Sequence, residues 1–489
     1  MIPTVRHAAA ARSRPAHEDS PDGICGALRG LFPAAPAAAL PATWRSRVLV
    51  TVAAVAAVAL GAAVLLLRIP GLPAWDTVYA EDYSEFLLGA LRHPWHLFAQ
   101  YNGYEQLLPR VVAQLVTYLP LAYAAKAFAC CGALTAAGCA LFISRASAGH
   151  IRSVTLRVLL GAAVILLPVA PLEIADSTVD APWYLLLALF WAVLWRPRTR
   201  SGTAVAAVVG FITVASNSIA ILFAPLLAIR VFALRRTRDH GVTAGWLAGC
   251  LVQAPLMVAA VFSGQSRLFG GLNPGGSQDS RVDSLTFYVH DVVLRSIGWH
   301  LSWWLESRTT TDWATLVAAV ALAVVLGLIV VTQPGARPFV VVALLTGFVV
   351  TVVSASLTPW EIGYPVTLRS EAEARYAVLP VFLIEAALIV GVDHVLRRRR
   401  ELPARPAAGQ RQVLTVLRPA VAVTALAAFL AVGWVADFRY QGARSAPSAH
   451  RWPPIVAELR HDCELSSTGE FTLRALGGRW TIPCTRLRF

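Results

Sequence analysis

The sequence predicts an all-α polytopic membrane protein of about eleven transmembrane helices, with interfacial helices in the first external loop. Three observations predict it. Of 489 residues, 57% are hydrophobic and only 14% charged, and the mean hydropathy is +0.60, far from the composition of soluble domains. Apolar runs long enough to cross a hydrocarbon core of roughly 30 Å recur along the chain. The arginines behind the net charge of +14 sit in short clusters between those runs, not in one tail or on one face. Such spacing marks the cytoplasmic side of membrane helices and argues against a nucleic-acid partner.

Residues 1–46, rich in Ala, Pro and Arg, are expected to form a disordered cytoplasmic tail, followed by a multi-span domain over 47–435. The run 48–67 begins too late for a cleavable leader and is expected to remain as the first anchor. Further runs fall at 111–143, 155–171, 181–195, 203–216, 218–234, 244–262, 312–331, 338–357, 376–396 and 415–435. The stretch 203–234 decides the parity. As one helix it would be about 48 Å long, beyond the bilayer core. Ser216-Asn217-Ser218 lies at its centre, and both flanks are basic, Arg196, Arg198 and Arg200 before and Arg235, Arg236 and Arg238 after. Two short helices turning at Asn217 satisfy the positive-inside rule.

With that parity the clusters at Arg45/Arg47, Arg145/Arg152/Arg157, Arg337 and Arg397 to Arg400 all fall inside. The expectation is a plasma (inner) membrane protein with a cytoplasmic N-terminus and an extracytoplasmic C-terminal segment over 436–489. Most carboxylates then land outside: Glu81, Asp82, Glu85 and Glu105 in a first external loop over 68–110, Glu173, Asp176 and Asp180 in the second. Asp279, Asp283, Asp291 and Glu306 fall in a long loop over 263–311, and Glu361, Glu371 and Glu373 in a later one. External loops are in any case poorer in basic residues, so a single carboxylate there says little.

The segment from Trp75 to Pro109 carries more. After Glu81-Asp82, apolar residues recur at Tyr83, Phe86, Leu87 and Leu91, a helical spacing with one greasy face, and Trp95 and Phe98 follow Pro94. Such a helix suits the outer interface, and its start presents two adjacent carboxylates where a lipid-linked headgroup would lie.

On these residues the chain resembles the GT-C superfamily of integral-membrane glycosyltransferases, which includes the protein mannosyltransferase-like enzymes and bacterial lipid-A and cell-wall sugar transferases. Glu81-Asp82 matches the acidic motif of the first external loop in position. The short helices around Asn217, the pair Asp176/Asp180 and the run Glu371-Ala-Glu-Ala-Arg375-Tyr376 with Pro380 are similar to features of that family. The resemblance spans most of 48–435 as an architecture, departs from well-known members in lacking a large soluble C-terminal domain, and shows no Asp-x-Asp pair in the first loop.

The resemblance implies sugar transfer, with inversion, from a polyprenyl-phosphate donor to a glycan, lipid or protein acceptor of the cell envelope. Asp82, with Glu81 next, is the expected base, since a carboxylate can take the acceptor proton. Arg375 beside Tyr376, then Arg369 and Arg110, are the expected holders of the lipid phosphate, with Asp176 and Asp180 also at the substrate. For Arg375 the bland alternative is a snorkelling interfacial residue, and for Arg110 an ion pair with Glu105. No cofactor is expected, and the absence of Asp-x-Asp speaks against a divalent cation.

His93, His96, His290 and His300 fit no ligand spacing, and Phe287, Tyr288, Trp299, Trp303 and Trp304 read as an interfacial belt. Gly270 to Gly276 forms either a closing loop or a linker, without the strand-to-helix context of a phosphate loop. Cys130, Cys131, Cys139 and Cys250 lie in apolar runs. Cys463 and Cys484 flank a polar segment and are a disulfide candidate if it faces an oxidising compartment. Two other classes stay open: a lipid or polysaccharide transporter or flippase, which would be expected to carry midplane charges and internal repeats, and a non-catalytic assembly protein in which Glu81-Asp82 caps a helix.

Overall fold

The structure, a computed structural model, describes residues 28–35, 43–69, 71–78, 81–101, 103–172, 174–235, 239–263, 288–298, 313–357, 374–401, 410–439, 451–467, 469–475 and 478–488. The described residues are mostly helical. In order come α1 (Trp44–Leu66), a π-helical turn Asp82–Leu87 running into α2 (Leu88–Arg92), α3 (Leu107–Val116), α4 (Ala124–Ala146), α5 (Val154–Leu166) and α6 (Ala181–Leu194). Then follow α7 (Arg200–Ser216), α8 (Ala224–Ala233), α9 (Gly241–Phe262), a short helical segment Tyr288–Leu294 continued by Arg295–Ile297, α10 (Trp313–Thr332) and α11 (Arg337–Leu357). α12 (Ala374–Glu401), α13 (Gln410–Ala436) and α14 (Trp452–Leu465) complete the helices. The antiparallel hairpin β1 (Glu470–Ala475) and β2 (Gly478–Pro483) is an addition to the all-α expectation.

Among the described residues six helices are long and apolar enough to cross a membrane: Trp44–Leu66, Leu121–Gly149, Gly241–Phe262, Arg337–Ser354, Arg375–Arg398 and Pro419–Ala436. The other apolar runs form shorter helices, among them Val154–Leu166, Ala181–Leu194 and Arg200–Ser216. The run expected over 111–143 is not one helix. It breaks after Val116, and Pro120, whose ring and missing N–H cannot continue a helix, starts the next turn. The turn at Asn217 is as read: α7 ends at Ser216, and the Asn217 side chain accepts the Ile219 N–H at 3.0 Å to cap the next helical turn.

α6 forms the centre, with every residue buried, and α12 lies beside it, mostly buried. α7 and α9 approach closest along Gly241, Gly245 and Gly249. A Cβ on Gly245 would stand 1.9 Å from the Ala207 carbonyl oxygen, so only glycine lets the two backbones meet there.

Helix ends sort into two groups. At one end Arg68, wholly buried, gathers three termini: it donates to the carbonyls of Ile165 at 2.7 Å, Leu167 at 3.1 Å, Asp437 at 3.1 Å and Phe438 at 3.1 Å. These are orphan carbonyls at or beyond the C-termini of α5 and α13, where the helix dipoles also favour a cation. The opposite end is rich in arginine. Asp393 accepts the Arg152 and Ser153 amides, at 3.2 and 3.0 Å, and pairs with Arg397 at 2.7 Å, while Arg398 holds the Thr332 carbonyl at 3.1 Å.

The tail expected to be disordered over 1–46 is ordered in part. Phe32 is fully buried beneath the Arg230 guanidinium, 5.8 Å from it, and its carbonyl accepts from Arg196 at 3.4 Å. A three-residue apolar stretch, Leu31-Phe32-Pro33, is enough to dock, and average composition hides it. α1 itself begins at Trp44, capped by Thr43 and Ser46.

Candidate functional site

The segment after α1 builds one wall of the site. Tyr83, Phe86, Leu87 and Leu91 are buried on the face the sequence periodicity marks, Leu88 is buried beside them, and the helix stops at His93 before Pro94. Tyr83 packs edge-on against Trp452, ring centres 5.3 Å apart, and Trp452 donates its indole N–H to the Leu121 carbonyl at 2.7 Å. The C-terminal unit of α14 and the hairpin therefore braces this segment. Cys463 and Cys484 form a disulfide within that unit.

A cavity of ≈ 280 Å³ opens at the Arg68 end of the bundle. Glu81 contributes from the start of the π-helical turn, Tyr101, Tyr104 and Gln106 from the approach to α3, and Asp180 and Trp183 from the start of α6. Ser216, Asn217 and Ser218 come from the α7 break, Ser354 from α11, and Arg375 and Tyr376 from the first turn of α12. Ile219, Ile221, Leu222 and Met257 make an apolar wall. The N-termini of α3, α6 and α12 thus converge on the cavity, and with Arg375 they favour an anion there. The Arg375 guanidinium lies 5.4 Å from the Tyr376 ring, which meets Trp183 edge-on at 5.4 Å. Burial pushes the Tyr104 phenol up to about 12, and nearby Arg375 pulls it back.

Glu81, Asp180, Arg375 and Tyr376, four residues picked from the sequence, meet in this one cavity. Asp82, the first choice for the base, is elsewhere: its carboxylate is fully buried and accepts the backbone N–H groups of Thr178 at 3.1 Å and Val179 at 2.9 Å. One residue along a helix turns the side chain by about 100°, so only one of two adjacent acids can face the cavity. Asp176 is also buried, in a left-handed backbone conformation at φ 58°, and does not line the cavity.

Arg110 meets Glu105 at 3.4 Å, the structural alternative, and stands over the Phe86 ring. It lines a second cavity of ≈ 160 Å³ on another side of the 82–92 helix, with Glu85, His93, His96 and Gln114. Burial raises the Glu105 carboxyl to about 8, with Arg110 opposing. Gln253, a polar residue in an apolar run, locks this segment: it accepts the Glu105 N–H at 3.0 Å and donates to the Glu105 and Val214 carbonyls. Arg369, Glu371, Glu373, the 270–276 loop, His300, Trp299, Trp303 and Trp304 lie outside the described residues.

Tyr101, Tyr104, Gln106, Met257 and Ser354 are cavity residues that sequence reasoning passed over. A usable signal was present for the loop set: Tyr101 and Tyr104 flank Gly103, at φ 92°, in a tight turn just before a helix. Among the described residues no group of three or more His, Cys, Asp or Glu side chains is placed to hold a metal ion.

Fold and site together define a helical protein with six candidate membrane spans and an amphiphilic cavity at one end of its bundle. No protein-family model matches the sequence, and no curated protein matches it.

Proposed function

We propose that the chain is a membrane glycosyltransferase that moves a sugar from a polyprenyl-phosphate donor to a cell-envelope acceptor at the extracytoplasmic face. The observation that carries this reading is the meeting of Glu81 and Asp180 with Arg375 and three helix N-termini in a cavity that has one apolar wall. A cavity that pairs carboxylates with an anion-favouring side suits a reaction in which a proton is taken and a phosphate leaves. The apolar wall of Ile221, Leu222 and Met257 suits the first part of a prenyl chain. The positive-inside rule puts the arginine-rich end in the cytoplasm and so the cavity outside, with about eleven spans counting the shorter helices.

In this mechanism Glu81 takes the proton of the acceptor hydroxyl. The acceptor oxygen bonds to the anomeric carbon as the bond from that carbon to the phosphate oxygen breaks, with inversion. The polyprenyl phosphate leaves with its charge met by Arg375 and by the N-termini of α6 and α12. Asp180 orients the acceptor, and Tyr376 and Trp183 flank the sugar. Asp82 positions the segment that carries Asp180 and touches no substrate.

The test is transfer from radiolabelled polyprenyl-phosphate sugars to envelope acceptors in membranes holding wild type, Glu81→Gln or Arg375→Gln at matched expression. Both variants are expected to lose transfer while keeping the wild-type melting behaviour. Full activity in Glu81→Gln overturns the assignment of the base, and no transfer by wild type with any such donor overturns the enzyme reading.

A further inference from the structure

Away from the cavity, α12 contacts both α10 and α13, and between those two helices runs an apolar groove of ≈ 330 Å³. Every lining residue is apolar, and the small residues Ala318, Ala321, Gly391, Ala422 and Ala425 leave the space that forms it. Along α10 it extends from Ala318 to Ile329, about 16 Å of helix, close to half of a bilayer core of roughly 30 Å.

Its two ends differ. At the Arg68 end the segment Tyr288–Leu294 and Arg295–Ile297 packs on α10, α12 and α13, Ile297 lines the groove, and Gly298 sits against Gly433, so the groove is roofed there. At the other end, where α10 finishes at Thr332 just past Ile329, two exposed arginines, Arg337 from the start of α11 and Arg398 one turn beyond Val395, hold the last carbonyls of α10. Arg398 donates from Nη1 to the Thr332 carbonyl at 3.1 Å, and Arg337 donates from Nε to the Val330 carbonyl at 2.9 Å. Each guanidinium keeps further N–H groups beyond the one that caps α10.

We propose that this groove holds one acyl chain of an anionic phospholipid drawn from the leaflet at the arginine-rich end, with the phosphate on Arg337 and Arg398. A wholly apolar groove whose flanks on α10 and α13 are exposed takes a lipid tail with no polar cost. The roof blocks entry from the cavity end, so the occupant is not the donor's prenyl chain. The two cations select charge, since each arginine near the surface favours an acidic headgroup. The lipid fills the space between α10 and α13, and the inference stands independently of the reaction proposed above.

The experiment reconstitutes the full chain in vesicles of equal parts phosphatidylglycerol and phosphatidylcholine, extracts it in mild detergent, and identifies retained lipid by native mass spectrometry. Wild type is expected to retain one phospholipid, phosphatidylglycerol over phosphatidylcholine by roughly tenfold or more, the size expected of two interfacial arginines. In R337Q/R398Q, which changes only exposed side chains, that preference should fall to near parity with a lipid still retained. In A321F/A425F, which fills the groove, retention should be lost. Wild type that keeps no lipid, or keeps both kinds equally, overturns the proposal, as does a folded A321F/A425F that retains lipid like wild type. Should the filled variant not fold, unchanged selectivity in R337Q/R398Q overturns it alone.

Discussion

The Asp82 carboxylate accepts the Thr178 and Val179 backbone N–H groups, at 3.1 and 2.9 Å, and so ties the segment after α1 to the turn that leads into Asp180. Asp82→Asn retains one acceptor and turns a carboxamide NH2, itself a donor, toward the other backbone N–H. It should cost about 1–3 kcal/mol of stability and lower transfer by displacing Asp180. Glu81→Gln, next to it, should leave the melting temperature alone while removing about 10²–10⁴ of the rate. Thermal unfolding and transfer measured on the same preparations separate the two roles.

Arg68 should be among the most sensitive positions. Its buried guanidinium serves four carbonyls from two other helix ends. Arg68→Met should destabilise by about 3 kcal/mol or more, and Arg68→Lys should rescue little, because one ammonium cannot span the four acceptors. Denaturation in detergent against wild type checks both.

Glu105 predicts a pH effect of defined sign. Its carboxyl rises from the ordinary 4.5 to about 8 because burial outweighs Arg110. The folded state therefore holds the proton more tightly than the unfolded one, and this contribution to stability is complete below about 4.5 and lost as pH climbs through about 8. Melting temperature should fall across that window in wild type and fall less in Glu105→Gln. An identical slope in the two proteins would remove Glu105 as its source.

Gly245→Val should separate α7 from α9. The added Cβ would meet the Ala207 carbonyl oxygen at 1.9 Å, backbone that cannot swing aside. A loss of about 1–3 kcal/mol is expected. Leu247→Val, an exposed position on the same helix, is the control and should melt like wild type.

Cys463→Ser opens a link across a sequence separation of 21, worth about 3 kcal/mol to the unit it closes. Limited proteolysis should then cut within 451–488 while the helical bundle stays intact. Equal protease resistance in wild type and variant would show that packing through Trp452 suffices.

Much of this architecture is legible in the sequence because membrane helices advertise themselves by length and composition. The turn at Asn217 was readable since one polar triplet interrupted a run too long for one span. Arg375, Tyr376, Asp180 and Glu81 were readable as charges and aromatics at the ends of apolar runs. What composition could not give was the rotation of each helix. Glu81 and Asp82 are equivalent as text, and only the packing of Tyr83 and Phe86 decides which of them faces the cavity. The glycine spacing at 241, 245 and 249 was present as a signal of close helix contact, yet nothing local says that α7 is the partner. Phe32 lay beyond reach for a similar reason, since its binding crevice is assembled from α8 and the loop after α6.

The brace of Trp452 on Leu121 has a bearing on biogenesis. The two residues are separated by 331 positions in the chain. At about 5–20 residues per second, the helix that carries Glu81 emerges from the ribosome roughly 20–75 s before its brace exists. During that interval Tyr83, Leu87 and Leu91 have the cover of Val112, Val116 and Phe128 but not that of Trp452, Val456 and Leu459. The segment that carries Glu81 is then completed late, when the tail-end unit has joined Cys463 to Cys484 and packed onto it through Trp452.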